Sequence, residues 1–354
     1  MKDRIVRVAV LGQGRSGCGI HVKWLRQDER FRVVAVADLM PERHDAAAEI
    51  DAKAYGEFRE LLHDRALEVD LVVNALPSDL HPAGTIAALE SGRHVMTEKP
   101  AAVRVADLDR MIAAAKKADR RLLFFQNSRF NPGFVKLREV LASGKLGELI
   151  HARISYSGFA RRWDWQASQE HWGGNLNNTG PHPLDMAVVL FGERTPSVFS
   201  RLASDNPFGD ADNFATVSLY GNGAPLIEVL VSSFLAYPQG DQFNLSCTRG
   251  GLAGSTTQLR WKYFNPGDAP PRESMAHAWS EQRTYNSEKL PWVEESWSDT
   301  SGDELFHQLS RGVYDNVYDV LARGAEPVIT HDQVRRQVGV LEECHRQNPL
   351  PKRD

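Results

Sequence analysis

The chain has 354 residues, 42% of them hydrophobic and 25% charged, with 42 Lys and Arg against 46 Asp and Glu and a formal net charge of −4. At roughly 100–200 residues per domain this length predicts two domains, and the composition excludes wholesale disorder. No cation block reads as a nucleic-acid or anionic-membrane surface, and no run approaches the roughly 18 apolar residues of a membrane span. Cys18, Cys247 and Cys344, odd in number and far apart, fit neither a disulfide framework nor a CxxC metal site, and so point to a reducing cytoplasm. The opening MKDRIVRVAVLG lacks the apolar length and the cleavage site of a signal peptide. Tryptophan is uneven: Trp24 stands in the first third, and the other seven lie between Trp163 and Trp297.

From Ile5 to about Asn127, short apolar runs alternate with amphipathic stretches. The runs IVRVAVLG, FRVVAVAD, VDLVVNALP, HVMTEKP and RLLFFQN read as strands, with a weaker one near Ala52–Tyr55. Helices are predicted over Ser16–Arg26, Pro41–Ile50, Pro82–Ser91 and Val105–Asp119. Strand and helix in repetition imply right-handed crossovers and a parallel sheet covered on both faces, the pattern of a doubly wound α/β Rossmann domain, set here at residues 1–127.

The remainder, 128–354, has a different character. A helix over Pro132–Ser143 is closed by Gly144 and Gly147. Period-two alternation then predicts strands at Leu149–Tyr156, Ser197–Ala203, Phe214–Tyr220, Leu226–Phe234 and Asp241–Thr248. Further helices are read at Pro183–Phe191, Glu304–Arg323 and Thr330–Gln347, with Thr330 as a cap. This is an α+β domain with a large, mostly antiparallel sheet, whose terminal helix could pack back on the first domain. Trp261–Trp297 reads as long loops and edge strands.

In VAVLGQGRSG, Gly12, Gly14 and Gly17 have GxGxxG spacing between a strand and a helix. Gly12 allows the tight turn, Gly14 lets backbone approach a pyrophosphate, Gly17 permits close helix–strand packing, and the helix N-terminus offers N–H groups to phosphate. Asp38 ends the second strand about 20 residues on, where a carboxylate binds a ribose diol and repels a 2′-phosphate, favouring NAD over NADP. Its structural alternative is a cap for the helix at Pro41. The fifth strand ends in Thr97-Glu98-Lys99-Pro100, which aims Lys99 at the crevice beyond the carboxyl ends of the strands.

The loop GQGRSG, PSDLH at Pro77–His81, Glu98-Lys99-Pro100, SRFNP at Ser128–Pro132, GGNLNNTGPHPLD at Gly173–Asp185 and the closing EPVITHDQVRR together resemble the Gfo/Idh/MocA oxidoreductase family over essentially the whole chain. The resemblance implies that Arg15, Ser16, Pro77, Ser78, His81, Glu98 and Lys99 lie along the cofactor. It also implies that Arg129, Trp163, Asp164, Asn178 and Asp185 join Lys99 and His182 around the substrate. Lys99 and His182 are the implied catalytic pair. A histidine of pKa near 6.5 suits general-base work while Lys99 stabilises an alkoxide; a neutral Lys99 acting as base is the reverse assignment, and the sequence leaves both open.

Two departures from the family pattern stand out. Trp172 replaces the first glycine of its Gly-Gly-Gly run, and Asn178 replaces a frequent aspartate. Asn178 cannot accept a proton, so any carboxylate–histidine coupling falls to Asp164 or Asp185. Asn178 could equally cap the following helix, and Asp185 could simply favour that helix's dipole. Arg161, Arg162, Trp163, Asp164, Trp165, His171 and Trp172 form a polar aromatic loop of the kind that binds sugars, although tryptophans also serve cores and interfaces. His171 and His182 lack a third ligand in spacing, so no metal is expected.

The reading is an NAD-dependent dehydrogenase acting on a secondary hydroxyl of a sugar, glycoside or cyclitol, or on its keto form, without nucleic-acid or membrane partners. The resemblance implies a homo-oligomer, from dimer upward, assembled through the open sheet face, with Trp261–Trp297 an interface candidate. The competing readings are a redox-neutral NAD enzyme, epimerising or cleaving glycosides, and a non-catalytic cofactor-sensing regulator.

Overall fold

Six of the apolar runs form parallel strands: β1 (Val6–Leu11), β2 (Phe31–Ala37), β3 (Lys53–Tyr55), β4 (Leu71–Asn74), β5 (His94–Thr97) and β6 (Leu122–Phe124), ordered β3-β2-β1-β4-β5-β6. The computed structural model describes residues 4–237, 240–272, 274 and 288–352. Strand order reverses between β1 and β4, which opens a crevice at their carboxyl ends. Val8, Val10, Leu71 and Val73 are fully buried, as strands covered on both faces require.

The connections are α1 (Lys23–Leu25), α2 (Asp45–Ala48), α3 (Phe58–His63), α4 (His81–Glu90) and α5 (Val105–Ala118). The stretch expected as one α-helix over Ser16–Arg26 opens instead as a π-helix, Gly17–Val22, with the N–H groups of both Ile20 and His21 donating to the Ser16 carbonyl at 3.0 Å. Helix α3 escaped the sequence reading because six residues are too few to show a 3.6-residue period.

The second sheet holds β7 (Leu149–Ser157), β8 (Ser197–Ala203), β9 (Phe214–Tyr220), β10 (Leu226–Ser232), β11 (Phe243–Cys247), β12 (Gly250–Gly254), β13 (Gln258–Tyr263) and β14 (Val293–Ser298), ordered β14-β13-β12-β11-β7-β10-β9-β8. Neighbours are antiparallel except β7 and β10, which run parallel from the His151–Leu226 pair to the Ser157–Ser232 pair. Strand β12 was not foreseen, because its GGLAG sequence carries little side-chain pattern. Strands β13 and β14 supply the edge expected within Trp261–Trp297; Trp279 and most of 273–287 lie outside the described residues.

Along β9, Ala215, Val217 and Leu219 face a core built with α6 (Pro132–Ala142), α7 (Asn175–Asn178), α8 (Pro181–Phe191) and the end of α10 (His331–Gln347). The opposite face exposes Arg153, Arg201, Arg260 and Lys262. Thr330 caps α10 in a reciprocal box with Gln333. Val334 and Val338 of α10 pack in the core on one side of the first sheet. Tyr314 and Tyr318 of α9 (Leu305–Arg323) are buried in the core on the other. Helix α10, whose end joins the core of the second sheet, thereby ties the two sheets together, while α9 packs on the first sheet. Among the described residues no helix is long and apolar enough to cross a membrane.

Candidate active site

The glycine loop follows β1. Gly12 has φ of +83°, and a Cβ there would lie 2.5 Å from the Ala75 oxygen; one on Gly17 would lie 1.7 Å from the Gly12 oxygen. At Gly14 the nearest atom is Arg43 Nη1 at 3.8 Å, so bare backbone faces open space. That is the cradle a dinucleotide phosphate requires, and the loop fits NAD. Arg15 is exposed on the loop and Ser16 begins the π-helix without using its hydroxyl as a cap.

Asp38 is buried and accepts from Gln13 N at 2.7 Å, Met40 N at 2.9 Å and Arg43 Nη1 at 3.1 Å. Burial raises its pKa, but the Met40 and Gln13 N–H groups and the Arg43 guanidinium outweigh it and hold the carboxyl below the usual range. The carboxylate therefore braces the glycine loop and the turn before Pro41 while remaining charged. Pro77 is exposed after β4, and Ser78 is buried.

Two residues expected at the cofactor turn inward. His81 is buried, with Nδ1 2.7 Å from the Pro100 carbonyl and Nε2 2.8 Å from that of Leu76. Glu98 is also buried; Oε1 lies 3.2 Å from His21 Nε2, and Oε2 accepts from Lys99 N at 2.9 Å. His21 Nδ1 in turn meets the Tyr314 hydroxyl at 2.8 Å. Both side chains are consumed in holding the Lys99 turn, so they support the crevice from behind. Burial opposes ionisation of Glu98, yet His21 and Lys99 draw its pKa down to about 2.

Lys99 follows β5, and its Nζ donates to the Asn178 carbonyl at 2.8 Å. Burial lowers its pKa; Glu98 opposes that, and Arg15 and Arg162 add to it. His182 lies in the first turn of α8, behind Pro181 at the favoured first helical position. Its Nδ1 is 2.8 Å from Ser128 Oγ, and its ring stacks on Tyr156 at 6.4 Å between centroids. Burial, then the charge of Lys99, push its pKa down to about 3, correcting the value near 6.5 expected from the sequence. The partner of its imidazole is a hydroxyl, and neither Asp164 nor Asp185 fills that place.

Asp185 binds Arg129 instead, through Nη2 at 2.6 Å and Nε at 2.7 Å. Both are buried, and Arg129 Nη1 also donates to Gln333 of α10 at 3.0 Å. This pair clamps α8 to the segment after β6 and presents no free group to a substrate, which corrects the substrate assignment of both residues. Asp164 accepts from Gln166 N at 3.2 Å, capping a short turn, and the Trp163 indole is 78% exposed. In this arrangement Trp163 faces solvent rather than the Lys99–His182 pair.

Asn178 ends α7 and does not cap α8, where Gly180 holds the N-cap position. With its amide oxygen toward Arg162 it accepts from Nη1 at 3.2 Å and Nη2 at 3.3 Å, and its nitrogen faces Gln166 at 3.1 Å. Trp172, in the place of a family glycine, adopts φ of +54°, a region that favours glycine. The sequence marks Arg162 only as part of the polar aromatic loop and Ser128 only as the start of SRFNP, while Tyr156, Arg43 and His21 are not selected and nothing local marks them. Among the described residues no cluster of three or more His, Cys, Asp or Glu could hold a metal ion.

The parallel sheet, the glycine loop and the lysine at the strand end define a dinucleotide-dependent oxidoreductase. Residues 6–126 match the model of an oxidoreductase family with an NAD-binding Rossmann fold, and residues 134–253 match the GFO/IDH/MocA C-terminal domain. The chain belongs to the Gfo/Idh/MocA oxidoreductase family. It is 29% identical to an uncharacterised oxidoreductase of Schizosaccharomyces pombe over 75% of this chain and 74% of the relative. It is 32% identical to myo-inositol 2-dehydrogenase of Thermotoga maritima over 62% of this chain and 66% of that one. Among solved structures, the WlbA dehydrogenase of Bordetella pertussis, in complex with NADH and UDP-GlcNAcA, superposes with a TM-score of 0.75 at 20% identity, covering 100% of this chain and 99% of that one. That likeness is one of fold.

Proposed function

We propose that this protein is an NAD-dependent dehydrogenase of a sugar, glycoside or cyclitol, oxidising a secondary hydroxyl or reducing the corresponding ketone. The observation that carries the reading is the meeting of Lys99, fixed on the Asn178 carbonyl, with a neutral His182 fixed on Ser128. The inositol dehydrogenases among the relatives support the substrate class.

Bound NAD supplies the hydride acceptor at its nicotinamide ring. The glycine loop and Asp38 hold that cofactor in this reading, and the turn braced by His81 and Glu98 holds Lys99. With Nδ1 engaged by Ser128, His182 Nε2 is left to accept a hydrogen bond from the substrate hydroxyl and orient it. An imidazole titrating at about 3 is a weak base at neutral pH. In this reading Lys99, whose pKa burial lowers, takes the hydroxyl proton on its amine as the C–H hydride leaves. In the reverse direction the ammonium returns that proton to the alkoxide.

The test is purified protein with NAD⁺ or NADP⁺ and a panel of sugars, glycosides, inositols and their keto forms, followed by nicotinamide absorbance. Turnover with net NADH formation is expected. Product without net NADH would favour a redox-neutral cycle, and no turnover of any polyol in either direction would overturn the reading.

A further inference from the structure

Behind Lys99 runs a chain of buried polar groups drawn from three distant segments. The Tyr314 hydroxyl of α9 meets His21 Nδ1 at 2.8 Å, His21 Nε2 meets Glu98 Oε1 at 3.2 Å, and Glu98 Oε2 accepts from Lys99 N at 2.9 Å. Tyr314 and His21 are fully buried and Glu98 is 4% exposed. The His21 ring also stands edge-on to Phe125, 4.5 Å between centroids, which fixes its plane. Because the Glu98 carboxylate is an acceptor, His21 carries a proton on Nε2 and donates there. Each carboxylate oxygen thus has an N–H donor, which an ion shut away from water requires. A buried ion is a poor source of stability, and apolar side chains would fill the same space as well. What they would not supply is charge beside the amine of Lys99. Burial lowers the proton affinity of that amine; Glu98 opposes the lowering, while Arg15 of the glycine loop and Arg162 add to it. His182 faces the amine from α8 and is neutral. Around Glu98 itself stand His21, Lys99, His81 of α4 and Tyr314.

We infer that His21 and Tyr314 are positioning residues for the reaction at Lys99: His21, seated by Tyr314 and Phe125, fixes the Glu98 carboxylate, which holds the Lys99 backbone and sets a negative charge behind its amine. The inference rests on the dehydrogenase reading and adds to it the means by which the amine keeps its basicity. Both residues are shut away from the crevice and act through Glu98 alone. When the hydroxyl proton passes to Lys99, the ammonium so formed faces that anion in a place with little water to screen it. The relay also hangs from the glycine loop, because His21 N donates to the Ser16 carbonyl at 3.0 Å. The π-turn therefore joins the loop read as the phosphate cradle to the carboxylate behind the lysine.

The experiment follows Lys99 itself in the full-length protein, through the pH dependence of its acetylation by trace acetic anhydride, read by mass spectrometry on the peptide that carries it. Glu98→Gln keeps the shape of the side chain and removes the charge, and should lower the pH midpoint of Lys99 by about 1. His21→Leu leaves the buried Glu98 with one N–H donor, so its carboxyl takes up a proton and the Lys99 midpoint should fall as well. The double variant should fall no further than Glu98→Gln alone, since both changes act through one carboxylate. His21→Gln, which still offers an N–H, should restore most of the wild-type value. Where His21→Leu does not fold, Tyr314→Phe takes its place, with a smaller fall expected. In turnover with NAD⁺ the rising limb of kcat/KM should move with the midpoint. An unmoved or raised midpoint in Glu98→Gln and His21→Leu would overturn the inference and leave the chain of contacts as packing. The labelling needs no substrate, so a protein that shows the expected midpoints yet turns over no polyol would remove the dehydrogenase reading instead.

Discussion

Asp185 closes on Arg129 with both carboxylate oxygens, at 2.6 and 2.7 Å, and neither side chain is more than 3% exposed. Removing one partner strands the other charge in the interior. Asp185→Ala is expected to cost about 3–5 kcal/mol of folding stability, read from urea unfolding. The double replacement Arg129→Met with Asp185→Leu should recover most of that loss. A cost of less than about 1 kcal/mol for the single variant would show that the clamp does not support α8.

The pH behaviour follows from Lys99 and His182. His182 has a folded pKa of about 3 against an ordinary 6.5, so the unfolded chain takes the proton first. Its contribution to stability is complete above pH 6.5 and is lost as pH falls toward 3; His182→Gln should flatten the stability profile in that window. Because the imidazole stays neutral, kcat/KM should show no acid limb near 6.5. The rate should instead rise with pH through a single ionisation below the ordinary 10.5 of lysine, and Lys99→Met should lower kcat by about 10²–10⁴-fold. A limb near 6.5 that vanishes in His182→Gln would return the base role to the histidine.

Asp38 and Arg43 touch at 3.1 Å at the end of β2, so the carboxylate for a ribose diol and a cation suited to a 2′-phosphate sit together. Asp38→Ala should weaken NAD⁺ binding by about tenfold or more while weakening NADP⁺ binding less. Arg43→Ala should act in the opposite sense. Calorimetric titration of both nucleotides decides it, and equal losses for both in Asp38→Ala would mark the carboxylate as a brace for the Gln13 and Met40 N–H groups.

Gly14 and Gly17 separate binding from folding. A methyl at Gly17 meets the Gly12 oxygen at 1.7 Å, so Gly17→Ala should lower stability by about 1–3 kcal/mol in thermal or urea unfolding. At Gly14 a methyl meets only Arg43 at 3.8 Å, so Gly14→Ala should leave stability within about 0.5 kcal/mol and weaken nucleotide binding. Unchanged nucleotide affinity in Gly14→Ala would remove the loop from the phosphate site.

Local order was enough to read the first sheet and strands β7 to β11 of the second, and to find the glycine loop, Asp38 and the lysine behind β5. Each of these depends on residues within about 20 positions of one another, where strand period, turn chemistry and helix ends act directly on the chain. Short or featureless elements escaped, as α3 and the glycine-rich β12 show. The π-helix escaped too, because the bond from His21 N to Ser16 O adds one residue to a turn without altering the apolar pattern.

The sequence by itself determined where the crevice lies and which chemical groups reach its edge. Only the tertiary structure decided which of those groups are free. Glu98 is turned inward by His21, 77 positions away, and Asp185 is taken by Arg129, 56 positions away. The residue binding Arg162 is an amide that also holds Lys99. Buried charges must find partners, and the partners available are set by packing between distant segments, which spacing along the chain does not encode.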